Sequence, residues 1–194
     1  MIPSLEAIKA INAWRRDAVV VSTTAALREW GSVSQCRELD LDLSDCMDKA
    51  SSVGLGIALA QPHQKVLVLD CDSVLRANLS SLMTVGRAAP QNLVHFLFED
   101  GSHISTDGQP IPGMDRINFK ALAEGGGYPR TYQFDSLEEL VISLQEVLEG
   151  AGPVFVCLKV FHDRDLPAYP ARTMEESLKA IKACLEHSHN EASG

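Results

Sequence analysis

Three places in the sequence put hydroxyls or paired carboxylates directly after a β-branched apolar run: Ser22-Thr23-Thr24, Asp70-Cys71-Asp72-Ser73 and Glu99-Asp100-Gly101-Ser102. Ligands of open α/β sheets bind beyond the carboxyl ends of the strands, so these are the positions where chemistry belongs. Carboxylate and carbonyl oxygens with hydroxyls nearby suit a hard cation such as Mg2+, which usually keeps phosphate oxygens and water among its ligands. A phosphate ester anchored through Mg2+ is the corresponding ligand. On spacing alone, acidic residues at strand ends serve equally well to cap the next helix or turn.

The elements that must hold these positions can be read from periodicity. Residues 18–22 (AVVVS), 65–70 (KVLVLD), 93–98 (LVHFLF) and 154–160 (VFVCLKV) are near-continuous apolar runs, as strands covered on both faces are. Residues 37–43 and 130–134 are weaker strand candidates. Ser136 with Glu139, and Thr173 with Glu176, fit capping boxes before helical patterns, and Leu5, Ile8 and Ile11 suggest a first amphipathic helix after Ser4. Residues 50–60 are helical in length but carry Gly54 and Gly56, tolerable where a helix packs closely on a sheet. Gly125-Gly126-Gly127 reads as a helix terminator. The alternation predicts an α/β fold with an open, mostly parallel sheet of about six strands and helices on both faces. It forms one domain over residues 1–187, followed by a disordered tail at 188–194.

Two stretches stand outside the alternation. Residues 100–116 form a polar segment of 17 residues with three glycines and two prolines, too long for a passive connection. Residues 162–172 follow the last strand and are expected to cover a sheet edge or meet another subunit.

With 194 residues, 45% hydrophobic and 22% charged, the chain can bury a sizeable core. Its 17 Lys+Arg against 26 Asp+Glu give a net charge of -9, with no basic stripe, which argues against nucleic acid. No run reaches the roughly 18 to 20 apolar residues of a membrane helix, and the first residues lack a signal pattern. These features point to a cytoplasmic protein. Five cysteines, none at zinc-knuckle spacing, read as reduced thiols. Cys157 fits a small buried hydrophobe. Cys71 lies between two carboxylates, which would raise its pKa and oppose thiolate chemistry.

The order of three segments is more specific than composition: ASSVGLGIALA from Ala50, KVLVLDCDSVLRANLSSLMTV from Lys65, and LVHFLFEDGSHISTDGQPIP from Leu93. Together with Val20-Val21-Ser22-Thr23-Thr24, they resemble the diphosphate-binding domain of thiamine diphosphate-dependent 2-oxo acid decarboxylases, in particular the phosphonopyruvate decarboxylases and sulfopyruvate decarboxylase β subunits. The resemblance runs from Ile8 to about Leu185. It implies a thiamine diphosphate-binding fold in which Asp72, Asp100 and the backbone carbonyl of Ser102 hold Mg2+, and the cation bridges two phosphate oxygens. Ser22, Thr23, Thr24, Ser51, Ser52, Cys71, Ser73, Val74 and Thr106 would line the cofactor, and Met47 would support its bent form. His103 would be the candidate for proton transfer near the cofactor.

The chain also departs from that family. Cys71 and Ser73 replace the two glycines of the Gly-Asp-Gly signature, and Val74 replaces the serine that follows. Glycine lets backbone approach phosphate, so side chains there would crowd the diphosphate. Asp100 replaces a neutral asparagine and makes the site more negative by one unit, which calls for a nearby cation or a protonated Asp100. Lys49 is one candidate counter-charge.

By resemblance the cofactor supplies the carbanion chemistry that decarboxylates a 2-oxo acid. Activating it needs a glutamate on a separate pyrimidine-binding domain, for which this chain has no room. The resemblance therefore implies one half of a split, Mg2+-dependent decarboxylase. The active site would be completed by a pyrimidine-binding partner chain, self-association is expected, and the substrate would be a small anionic 2-oxo acid such as phosphonopyruvate or sulfopyruvate. The alternative is a degenerate, non-catalytic homologue that keeps the fold and the subunit interface but has lost the cofactor.

Overall fold

The computed structural model describes residues 1–103, 109–163 and 165–191. In chain order the first half contains β1 (Ile2–Pro3), α1 (Ser4–Ala13), β2 (Val19–Ser22), α2 (Thr24–Val33), β3 (Asp40–Asp42), α3 (Ala50–Ala60), β4 (Val66–Cys71), α4 (Asp72–Leu75) and α5 (Ser80–Ala88). The second half contains β5 (Leu93–Glu99), β6 (Ser102–His103), β7 (Gln109–Pro110), α6 (Phe119–Gly125), β8 (Arg130–Phe134), α7 (Leu137–Glu149), β9 (Val154–Phe161) and α8 (Met174–Glu191). No helix among the described residues is long and apolar enough to cross a membrane.

The main sheet runs β3-β2-β4-β5-β9 and is parallel throughout. One edge of β9 is shared, with β8 pairing along residues 154–158 and β1 along 160–161. The expected six strand positions are therefore present, and a two-residue strand that has no readable signature of its own extends the last of them. Among the described residues, antiparallel pairing is confined to β6 with β7, inside the segment expected as an irregular loop.

Alternation along the buried strands divides the interior into two cores. Val20, Leu69, Phe96, Phe98 and Val156 pack against Ile8 and Ile11 of α1, Trp30 of α2 and Leu144 of α7. Val21, Val68, Leu97 and Phe155 pack on the other face against Leu55 of α3, Leu82 of α5 and Phe119 of α6. Gly54 is what lets α3 lie close, since a Cβ there would stand 2.3 Å from Val68 Cγ2, whereas nothing lies within 4 Å of one at Gly56. Both caps form, one as a full box: Ser136 Oγ accepts from Glu139 N at 3.5 Å, and Thr173 and Glu176 cap each other reciprocally. α6 ends at the glycine triplet, where Gly127 takes φ +99.

The described part of residues 162–172 runs along α2 and reaches a sheet edge. Arg28 of α2 donates to the carbonyls of Leu166 and Pro167, and the segment leads into α8 at the far edge. There Arg172 donates to the carbonyls of Arg37 and Asp40, and Ser177 Oγ accepts from the Asp42 backbone N–H at 3.3 Å, closing the free side of β3. α8 runs to Glu191, past residue 187 where a disordered tail was expected, with Glu175–Lys179 and Lys182–Glu186 pairs at i,i+4 spacing.

Candidate cofactor and metal site

After β2 the chain moves outward to β3 and then crosses back to β4 on the other side of β2, so the strand order reverses between β2 and β4. A crevice opens at the carboxyl ends of strands at such a reversal. Ser22, Thr23 and Thr24 end β2, and Cys71 and Asp72 end β4, so the residues singled out by type converge at the point that topology selects.

Asp72 is fully buried. Its Oδ2 accepts from the backbone N–H groups of Gly101, at 2.8 Å, and Asp100, at 3.1 Å. Gly101 takes φ +72, the left-handed conformation that glycine accepts readily, which turns both N–H groups toward Asp72. Burial, together with the charges of Asp100 and Glu99, pushes the Asp72 carboxyl up to about 7, against the opposing pull of the N–H groups of Gly101 and Ser73. Asp100 follows β5, and Ser102 embraces it: N–H to Oδ1 at 3.0 Å and Oγ–H to Oδ2 at 2.5 Å.

Buried polar atoms are normally bonded. Here Asp72 Oδ1, Ser22 Oγ and Thr24 Oγ1 are buried with no hydrogen-bond partner among the described residues. Thr24 also has φ +51, rare for a β-branched residue. One unshared carboxylate oxygen beside a second carboxylate, with two hydroxyls able to donate, matches the donor set for a divalent cation and a phosphate group. Among the described residues there is no cluster of three His, Cys, Asp or Glu side chains that could cage a metal. Two carboxylates and a backbone carbonyl instead fit Mg2+, which takes its remaining ligands from phosphate and water.

The other predicted residues fall into place unevenly. Thr23 Oγ1 donates to the Leu43 carbonyl at 3.3 Å. Ser51 Oγ donates to Ser81 Oγ at 2.7 Å, a contact that ties α3 to α5, while Ser52 is exposed. Met47, half-buried in a 3-10 turn, is brought toward α4 by Asn78, whose side chain donates to the Asp48 carbonyl at 2.8 Å. Ser73 and Val74 are half-buried in α4, and Val74 packs on the first core. The Cys71 side chain is buried in that same core with its thiol 3.9 Å from the Thr23 carbonyl, so it fills the interior, and burial pushes the thiol far up. Thr106 and the His103 side chain lie outside the described residues.

Lys49 is not the counter-charge. Its ammonium is exposed and pairs with neighbouring Asp48. The basic side chain near Asp100 comes from a residue that sequence reasoning did not single out: His162, just past the end of β9, with Nε2 3.8 Å from Asp100 Oδ2. Its Nδ1 donates to Glu29 Oε1 at 3.1 Å, and Glu29 Oε2 accepts from Ser4 Oγ at 2.5 Å. Burial opposes the imidazolium, but the Glu29 hydrogen bond and the charges of Glu29, Asp100 and Asp72 outweigh it and raise the His162 pKa. The available signal was position, since His162 follows an apolar strand just as Asp72 and Asp100 do. Beside Asp100 lies a cavity of about 310 Å³ lined by Met1, Glu99, Gly101, Met114, Asp135 and Lys159. Within it Glu99 accepts from Cys157 Sγ at 2.9 Å and pairs with Lys159.

Residues 34–158 match the family model of the thiamine pyrophosphate enzyme, C-terminal TPP binding domain. The chain is 38% identical over 146 residues to a phosphonopyruvate decarboxylase of Streptomyces viridochromogenes, covering 75% of this chain and 36% of that protein. It is 31% identical over 161 residues to sulfopyruvate decarboxylase subunit beta of Methanothermobacter thermautotrophicus, covering 82% of this chain and 83% of that one. Thus it spans about a third of the Streptomyces decarboxylase but most of the β subunit. Among solved structures, the thiamine diphosphate-dependent 4-hydroxybenzoylformate decarboxylase of Rhodococcus jostii superposes with a TM-score of 0.69 at 19% identity, over 84% of this chain and 33% of that chain, which establishes a shared fold.

Proposed function

The chain belongs to the thiamine pyrophosphate enzymes through their C-terminal cofactor-binding domain, and on that footing we propose that it is the diphosphate-binding subunit of a split, Mg2+-dependent decarboxylase. Its substrate is a small anionic 2-oxo acid such as phosphonopyruvate or sulfopyruvate, and its site is completed by a separate pyrimidine-binding chain. Self-association accompanies that pairing. The observation that carries the reading is the set of unpartnered buried oxygens of Asp72, Ser22 and Thr24 at the β2/β4 crevice, with Asp100 alongside.

Asp72 Oδ1, Asp100 and the Ser102 carbonyl would hold Mg2+, and the hydroxyls of Ser22 and Thr24 would donate to the diphosphate. Thr23, Ser52, Ser73 and Val74 would line the same approach, and Met47 would support the cofactor from its turn. When bound, the cofactor supplies the nucleophilic carbon and electron sink for decarboxylation. The protein's own part is to neutralise, orient and exclude water. Asp72 would hold the cation as the carboxylate, its proton lost to solvent, and Ser102 fixes the Asp100 carboxylate through its N–H and hydroxyl. His103, on β6, is placed in sequence to handle a proton beside the cofactor. A degenerate site is not favoured: the Cys71 side chain that replaces a glycine is accommodated in the core instead of standing free in the crevice.

The test is the melting temperature of the chain with thiamine diphosphate and Mg2+. Ligand at about 100 times its dissociation constant adds about 2.7 kcal/mol, or roughly 5 to 10 °C for a domain of this size. The shift should require Mg2+ and vanish in Asp72→Ala. No shift at saturating cofactor, with or without a pyrimidine-binding chain, would overturn the reading. Release of carbon dioxide from phosphonopyruvate or sulfopyruvate, only when both chains are mixed, would identify the substrate.

A further inference from the structure

Four side chains form one buried line into the site from outside it. Ser4 of α1 donates to Glu29 of α2, Glu29 accepts from His162 past the end of β9, and His162 faces the Oδ2 of Asp100. The His162 side chain is 8% exposed and that of Glu29 2%, so this is interior structure. A carboxylate as deeply buried as Glu29 requires partners, and Ser4 and His162 supply them, one to each oxygen. Because Glu29 can only accept, the His162 Nδ1 carries hydrogen, and the ring plane is fixed with Nε2 toward Asp100. Asp100 is then bonded by Ser102 on its own loop and faced by His162 from the end of the neighbouring strand β9.

We propose that His162, oriented by Glu29 and Ser4, is a positioning residue for the Asp100 carboxylate, fixing which oxygen Asp100 offers to the divalent cation. This rests on the metal-site reading above. Partners of this kind orient metal ligands, and removing one typically costs 10- to 100-fold in metal affinity. The effect should depend on residue 100 being a carboxylate. An amide there has a single carbonyl oxygen to offer, so His162 has no choice of oxygen left to impose.

The experiment uses Mn2+ as a spectroscopic substitute for Mg2+, with thiamine diphosphate present, and follows the loss of the free-ion signal in electron paramagnetic resonance. His162→Leu should weaken Mn2+ binding about 10-fold or more. His162→Gln, which keeps an N–H donor, should restore most of it. In an Asp100→Asn background, His162→Leu should change binding by less than about twofold. Equal losses in both backgrounds, or no loss in either, would overturn the proposal while leaving the metal site in place. Failure of the unaltered chain to bind Mn2+ with cofactor would instead overturn the metal-site reading and this proposal with it. Circular dichroism of each variant, and the glutamine variant in particular, separates lost positioning from lost fold.

Discussion

Asp72 carries the largest electrostatic cost among the site residues that were recognisable in advance. Its folded carboxyl titrates near 7, above the ordinary value of about 4, so between those limits the folded metal-free chain binds a proton that the unfolded chain has released. The contribution to stability is fully present below about pH 4 and is lost as pH rises through 7. Urea melts of the metal-free chain should therefore show Asp72 costing stability at pH 8 relative to pH 5.5, and Asp72→Asn should flatten that part of the difference. Two residues earlier, Asp70 is satisfied within the protein. Oδ1 accepts from the Cys71 N–H at 2.9 Å, and Oδ2 lies 3.2 Å from His95 Nε2, whose Nδ1 is 3.2 Å from the Tyr128 hydroxyl. A His95 ring that donates through Nε2 to Asp70 and accepts at Nδ1 from Tyr128 meets both partners. His95→Phe would leave Asp70 Oδ2 without a partner and should cost about 1 to 3 kcal/mol, measured by chemical denaturation. Residues such as Ser22, Asp72 and Asp100 were legible because each directly follows an apolar run. His162 follows an apolar run as well, but its pairing with Glu29 was not legible, because it joins positions 133 residues apart and exists only once α2 lies beside the end of β9.

At the scale of elements, the strands buried on both faces declared themselves as apolar runs, and the long helices through their caps. β3 did so only weakly. Its residues Asp40-Leu41-Asp42 put two carboxylates into a buried strand. They are tolerated because Asp40 meets Arg15 at 2.8 Å and the Trp30 Nε1–H at 2.9 Å, while Asp42 faces Arg172 at 3.5 Å. No local pattern announces partners drawn from α2, the α1–β2 connection and the segment before α8. β1 is shorter still and is a strand only because β9 extends beyond β8. The glycines of α3 allow a paired test. Gly56→Ala faces open space and should stabilise by up to about 1 kcal/mol through helix propensity. Gly54→Ala drives a methyl into the stiff side chain of Val68 and should destabilise by about 1 to 3 kcal/mol despite the same propensity gain. Thermal or urea melts of the two variants, compared with the parent chain, decide it.

For the whole molecule, the outermost strand of the parallel sheet is the point of risk, since an open edge templates pairing with other chains. Arg172 and Ser177 close it by bonding to the backbone of β3, and Asp40 and Asp42 point inward along it. Ending the chain at residue 171 removes α8 and both contacts. The truncated protein should associate with itself in a concentration-dependent way beyond any assembly of the intact chain, measured by light scattering at matched concentrations. The overall architecture was readable because alternation of strand and helix leaves few arrangements. The closure of its edge was not, because it depends on backbone groups that every sequence has.

The pairing of Ile2 with Val160 has a consequence for biosynthesis. At roughly 5 to 20 residues per second, a ribosome needs about 8 to 30 s to travel from the first strand to its ladder partner. During that interval α1 can already hold Ser4 near Glu29, but β1 has no neighbour and His162 does not yet exist. The support beneath Asp100 thus assembles only after β9 has been made, and the crevice between β2 and β4 is complete in sequence well before its far wall is in place.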